Sequence, residues 1–125
     1  MTNIYPDTNT LLYEVQTTFS LQDALLTTAP SPHNLIILEA IQHELQTLKK
    51  RNNDIGRAAN IALALIQQKD LKIKSTTTMY GDQALLEHAT PKDYVVTADK
   101  NLTKKLKKHN INVLVPRQNY TLLQR

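Results

Sequence analysis

Short apolar runs that alternate with helix-forming segments constrain this chain more than any other feature. "LIIL" at 35–38, the strand at 94–98 within "DYVVTADK", and "INVLVP" at 111–116 are compact enough for buried strands. Between them the apolar residues change period. From Ala40 to Lys50, Ile41, Leu45 and Leu48 fall on one face of a helix. "IGRAANIALALIQQ" reads as an alanine-rich, largely buried helix, and Leu102 and Leu106 give "NLTKKLKKHN" an inward face. Residues 3–6 form a very short strand ending at Pro6, where a missing donor is tolerated. Leu11, Leu12 and Val15 then begin a helical spacing. "SLQDALLTTA" at 20–29 is a helix capped by Ser20 and broken by "PSPHN". "LKIKST" at 71–76 alternates as a half-exposed strand does, and 81–89 is a short helix opened by Gly81 and Asp82. Strands separated by helices specify an α/β chain, a three-layer α/β/α sandwich on a central parallel sheet of four to five strands. With 125 residues, no repeat and no linker, a single domain over 1–125 is expected.

Composition narrows the chemistry. There is no cysteine, which excludes disulfides, thiolate zinc sites and cysteine nucleophiles. No apolar run approaches the roughly 20 residues of a membrane span, and no positive segment precedes an apolar stretch at the start. A cytoplasmic protein with no membrane partner is expected. The net charge of +4 is unevenly distributed. Residues 1–48 hold no Lys or Arg and five acids; residues 49–125 hold all fifteen Lys and Arg against six acids. Such a chain can hold a cation at its acids and a polyanion along its bases, or simply present a solvated surface.

The acids fall at telling places. Ligands of open α/β sheets bind at the carboxyl ends of strands, where Asp7 and Asp99 lie. If their strands are parallel neighbours, the two carboxylates emerge side by side. Glu44 borders the inward face of its helix, and the spacing of Asp82 before Leu85 and Leu86 puts it on the inward side of its own. Clustered carboxylates repel unless a cation offsets them, and a hard divalent ion takes oxygen ligands. The alternatives are that Asp99 and Asp82 cap the helices they precede and that Glu44 is a surface acid beside a lysine.

"IYPDTNTLLYE", "AIQHELQTLKK", "YGDQALLEHA" and "DYVVTADKNLTKKLKKHNINVLVPRQNY" resemble, in order and over nearly the whole chain, the PIN-domain ribonuclease family. The similarity is to small archaeal single-domain members, akin to VapC-type toxins and the PIN endonucleases of ribosomal RNA processing. The resemblance implies a metal-dependent endoribonuclease with catalytic acids Asp7, Glu44, Asp82 and Asp99. Asp7, Asp82 and Asp99 would ligate one or two Mg²⁺ or Mn²⁺, Glu44 would orient the attacking water, and Asn9 and Thr97 would support the acids through hydrogen bonds. RNA contact is expected from Lys100, Lys104, Lys105 and Lys108. A homodimer, an antitoxin and a ribosome-assembly complex are the partners it implies. Related sequences often carry two adjacent acids where this chain has Asp82 and Gln83, and Pro6 before the first acid is unusual. The alternative is therefore a catalytically weak PIN fold that binds RNA or protein.

Other chemistries fit less well. "DTNT" resembles a haloacid-dehalogenase nucleophile loop, but Asn9 stands where the general acid belongs. His33, His43, His88 and His109 are scattered, with no i, i+4 pair for zinc, and no serine sits in an elbow. With five Tyr and Phe19, base stacking is not expected to dominate affinity, and Tyr80 and Tyr94 are read as core-edge residues.

Overall fold

The computed structural model describes residues 1–117 and 121–125, so the end of the last quoted stretch, 118–120, lies outside the described residues. Strand β1 (Thr2–Pro6) leads into α1 (Thr8–Gln16) and α2 (Leu21–Thr28). There follow β2 (His33–Leu38), α3 (Glu39–Leu48), α4 (Asp54–Gln68), β3 (Lys72–Lys74), α5 (Gly81–His88) and β4 (Tyr94–Val96). Helix α6 (Lys100–Lys108), β5 (Asn112–Pro116) and β6 (Leu122–Gln124) complete the order. The strands form one sheet, β3-β2-β1-β4-β5-β6. The first five are parallel, as the alternation predicts, and β6 is antiparallel to β5. "INVLVP" is thus not the last strand.

From β1 the chain steps outward through β2 to β3, then returns to the other side of β1 for β4 and β5. The direction of winding switches between β1 and β4, and such a switch opens a crevice at the carboxyl ends of the two strands. Pro6 pairs in register with Val96, and the Asp7 N–H donates to the Val96 carbonyl at 3.0 Å. The ladder therefore continues one residue past the proline that cannot donate.

Alternation along the strands splits the apolar residues between two faces. Tyr5, Val95 and Val113 join the larger cluster, with Leu11, Leu45, Leu85 and Leu106 from the helices. Ile4, Val96 and Leu114 face the smaller one, closed by Phe19, Leu21 and Leu25. Burying each such leucine stabilises by roughly 1.5–3 kcal/mol. Three of the four alanines of α4, Ala58, Ala59 and Ala62, are plain core, while Ala64 and Ile61 face solvent.

The chain has two glycines, and both sit where another segment comes close. A Cβ on Gly56 would collide with the Arg51 carbonyl oxygen and lie 2.8 Å from its carbon. The turn from α3 to α4 therefore closes around a hydrogen atom. Left-handed helix ends fall instead to Asp70 (φ 51°) and Asn110 (φ 60°), residue types that tolerate this conformation. In each, the next N–H reaches back five residues at 3.1 Å, Leu71 to Ile66 and Ile111 to Leu106.

Candidate active site

Asp7 and Asp99 leave the carboxyl ends of the adjacent parallel strands β1 and β4. Both cap the helix that follows: Asp7 Oδ1 accepts the Thr10 N–H at 2.8 Å, and Asp99 Oδ1 accepts the Leu102 N–H at 2.9 Å. Thr97 ties the two together. Its hydroxyl donates to Asp7 Oδ2 at 2.5 Å and accepts the Asp99 N–H at 3.0 Å. Capping thus uses one oxygen of Asp99 and leaves Oδ2 without a hydrogen bond among the described residues.

Glu44 and Asp82 approach from helices. Glu44 Oε1 accepts the Thr8 hydroxyl in a short hydrogen bond, and Oε2 accepts the Gly81 N–H at 3.2 Å. It is therefore held in place rather than loose on the surface, and no lysine pairs with it among the described residues. Asp82 lies in the first turn of α5, whose N-cap is Tyr80 and which has no side-chain cap. The capping reading of Asp82 is corrected. So is its inward placement, because Gly81, Ala84 and Leu85 fill the buried face and Asp82 stays exposed.

All four acids line one open groove of about 620 Å³, with Tyr80 on its wall. A second hollow of about 400 Å³ meets it at Asn9 and Asp99. Asn9 lines both, but its side chain makes no hydrogen bond to an acid among the described residues. Support comes instead from Thr97, Thr8 and the Thr10 amide.

The electrostatics record the crowding. Burial pushes the Asp7 carboxyl above its ordinary value; hydrogen bonds from Thr97 and Thr10 oppose this, and the Asp99 charge adds to it. Asp82 is also raised, by partial desolvation and then by the charges of Asp99, Glu44 and Asp7, with Lys105 opposing. Asp82 is exposed, so water screens these interactions and no stability follows from them.

The basic helix fans out rather than forming one patch. Lys105 is on the flank near Asp82, whereas Lys107 donates to the Arg125 carbonyl on the far flank. Lys100, Lys104 and Lys108 project between them, all exposed. Gln83 points elsewhere: its amide donates to Glu87 at 3.1 Å and accepts the Thr78 hydroxyl at 3.5 Å. Thr8, Gly81 and Tyr80 were not foreseen as site residues. "DTNT" and "YGD" place them beside the acids in sequence, but only the packing of α3 against α1 and α5 brings Glu44 to Thr8 and Gly81.

No three His, Asp or Glu side chains among the described residues close into a ready-made cage. The donors are nonetheless oxygens with uncompensated negative charge on one groove. That suits a hydrated dication, since Mg²⁺ usually binds through one or two carboxylates and keeps several waters.

A mostly parallel sheet with acids at its switch point defines a class of α/β proteins, and the comparisons say which one. A family model described as a PIN like domain matches residues 4–119. The chain belongs to the PIN-domain family. It is 35% identical to ribonuclease VapC4 of Methanocaldococcus jannaschii over 123 residues, 94% of this chain and 92% of that one. The solved structure of the PIN domain endonuclease Utp24 matches with a TM-score of 0.79, covering 98% of this chain and 90% of that one. At 22% identity that likeness is one of fold.

Proposed function

We propose that this chain is a metal-dependent endoribonuclease, residues 1–125 acting as one PIN-like domain. The observation that carries the reading is that Asp7, Glu44, Asp82 and Asp99, from four separate segments, line a single groove. The names of its relatives, a ribonuclease and an endonuclease, support it. Asp7, Asp82 and Asp99 would hold Mg²⁺ or Mn²⁺, which when bound polarises the scissile phosphate and lowers the pKa of water. The chain's own residues do the rest. Thr97 and the Thr10 amide fix Asp7, while Thr8 and the Gly81 amide fix Glu44, which orients the attacking water. Lys105 acts electrostatically on Asp82, and Lys100, Lys104 and Lys108 would extend attraction for an RNA backbone. An antitoxin would act by covering the acid-lined groove, and a homodimer belongs to the same proposal. Among the described residues no helix is long and apolar enough to cross a membrane.

The test incubates labelled structured RNA with the protein and Mn²⁺, with and without EDTA. Metal-dependent cleavage is the expected result; cleavage that persists in EDTA overturns the metal reading.

Two substitutions probe the arrangement. A Cβ on Gly81 would lie 2.5 Å from Glu44 Oε1, 2.9 Å from its Cδ and 2.9 Å from Cδ1 of the buried Ile41. Because both obstacles are side-chain ends and neither is backbone, Gly81→Ala should displace Glu44 while the Ile41 methyl gives by a few tenths of an ångström and the fold survives. Cleavage should fall by tenfold to a hundredfold, on the order of what a misplacement of about 1 Å costs, with the melting temperature little changed. Unaltered kcat would remove Glu44 from the mechanism. Gln83→Asp, at an exposed position turned from the groove, should change cleavage by no more than about twofold. A large gain would instead favour the weak-enzyme reading, in which Gln83 impairs the site.

A further inference from the structure

Tyr80 is 76% exposed, although the sequence places it at a core edge. Tyr94, read the same way, does pack against the smaller cluster. Tyr80 lines the groove, two residues before Asp82 and next to the exposed Met79.

The backbone beneath the ring is fastened. Glu39 Oε1 accepts the Thr76 N–H at 3.0 Å, and the Thr76 hydroxyl donates to the Thr78 carbonyl at 2.7 Å. The Tyr80 N–H then donates to the Thr78 hydroxyl at 3.2 Å, and its carbonyl accepts the Ala84 N–H at 2.9 Å. A solvent-facing aromatic on a fixed support loses little freedom when something flat lies against it. Every base offers a π-face, so stacking on an aromatic tolerates any sequence. A base within a duplex has both faces covered, and protein aromatics meet bases that are splayed out of loops, bulges and ends.

We infer that Tyr80 is a base-stacking residue, which holds an unpaired nucleobase next to the scissile phosphate. The inference rests on the ribonuclease reading and adds a residue that positions its substrate.

The test has two readouts. In kinetics on single-stranded RNA, Tyr80→Ala and Tyr80→Leu should raise KM about tenfold, the scale of one lost base–aromatic stack, with kcat nearly unchanged. Tyr80→Phe should behave as the parent. The Leu variant separates stacking from mere apolar contact, and melting temperatures equal to the parent's show that all three fold. In binding, RNA carrying 2-aminopurine beside the cleavage position is mixed with Asp7→Asn protein, which does not cut it. The fluorophore should be quenched when Tyr80 is present and not when Tyr80→Ala is added. Parental KM and parental quenching in Tyr80→Ala would overturn the inference. Tyr80-dependent quenching in a protein that cuts no RNA would keep the stacking role and overturn the nuclease reading.

Discussion

Asp7→Asn is expected to reduce RNA cleavage by a hundredfold to a thousandfold, the order of losing one preorganised electrostatic group, while leaving the protein at least as stable at pH 7. The two effects have one cause. Asp7 is 6% exposed, and burial raises its carboxyl above the ordinary 3.8 despite the bonds from Thr97 and Thr10. A carboxyl that holds its proton more tightly when folded supports the fold fully below about pH 3.8. That support is lost as pH rises through the folded value, so at pH 7 the ionised group opposes folding. Asparagine removes the charge and still accepts from the Thr10 amide, and its Nδ2, which cannot accept from Thr97 as Asp7 Oδ2 does, can donate to the Thr97 oxygen once that hydroxyl turns. The variant should melt no lower than the parent at pH 7 and lose any advantage near pH 3. Adding Mn²⁺ should raise the parent's melting temperature by mass action and leave the variant's nearly unmoved. A variant that cuts RNA like the parent would remove Asp7 from the mechanism.

Gly56→Ala should be the most destabilising of the small substitutions, by about 3 kcal/mol, lowering the melting temperature on the order of 10 °C. Alanine ordinarily improves a helix over glycine by roughly 0.5–1 kcal/mol, so the sign itself is the test. The new methyl would meet the Arg51 carbonyl and approach the Leu48 oxygen at 3.3 Å. These are backbone atoms and cannot rotate aside as the Glu44 carboxylate can beside Gly81. The whole turn between α3 and α4 must shift, together with the Asn53 cap that accepts the Gly56 N–H at 3.0 Å. A urea midpoint equal to the parent's would show that the turn yields freely.

Much of this architecture could be read from spacing, and the failures share a cause. Asp7 and Asp99 were legible because strand ends and helix caps carry local signals: an apolar run, an acid, then a new period. Glu44 was legible only as a residue bordering an apolar face. Its partners Thr8 and Gly81 are 36 and 37 residues away, a distance no periodicity spans. Tyr80 was misplaced because whether an aromatic at a helix start is covered depends on what packs over it. Asp82 was misjudged for a related reason: spacing from Leu85 and Leu86 does not fix rotation within a short helix whose buried face is Gly81, Ala84 and Leu85. Strand β6 is three residues long and pairs with β5 as an antiparallel return, which the alternation of strand and helix does not announce.

The tethering of the two strand-end acids reaches into ion preference. Asp7 and Asp99 each give one oxygen to an amide of their own helix, so their orientation is decided when the polypeptide folds. An ion arriving at such a ledge meets anchored donors on one side and bulk solvent on the other. An ion held there, as proposed, would not be encircled, and ionic radius would be a poor criterion for its admission. Under the proposed activity, Mg²⁺ and Mn²⁺ would differ chiefly in how readily each sheds hydration water.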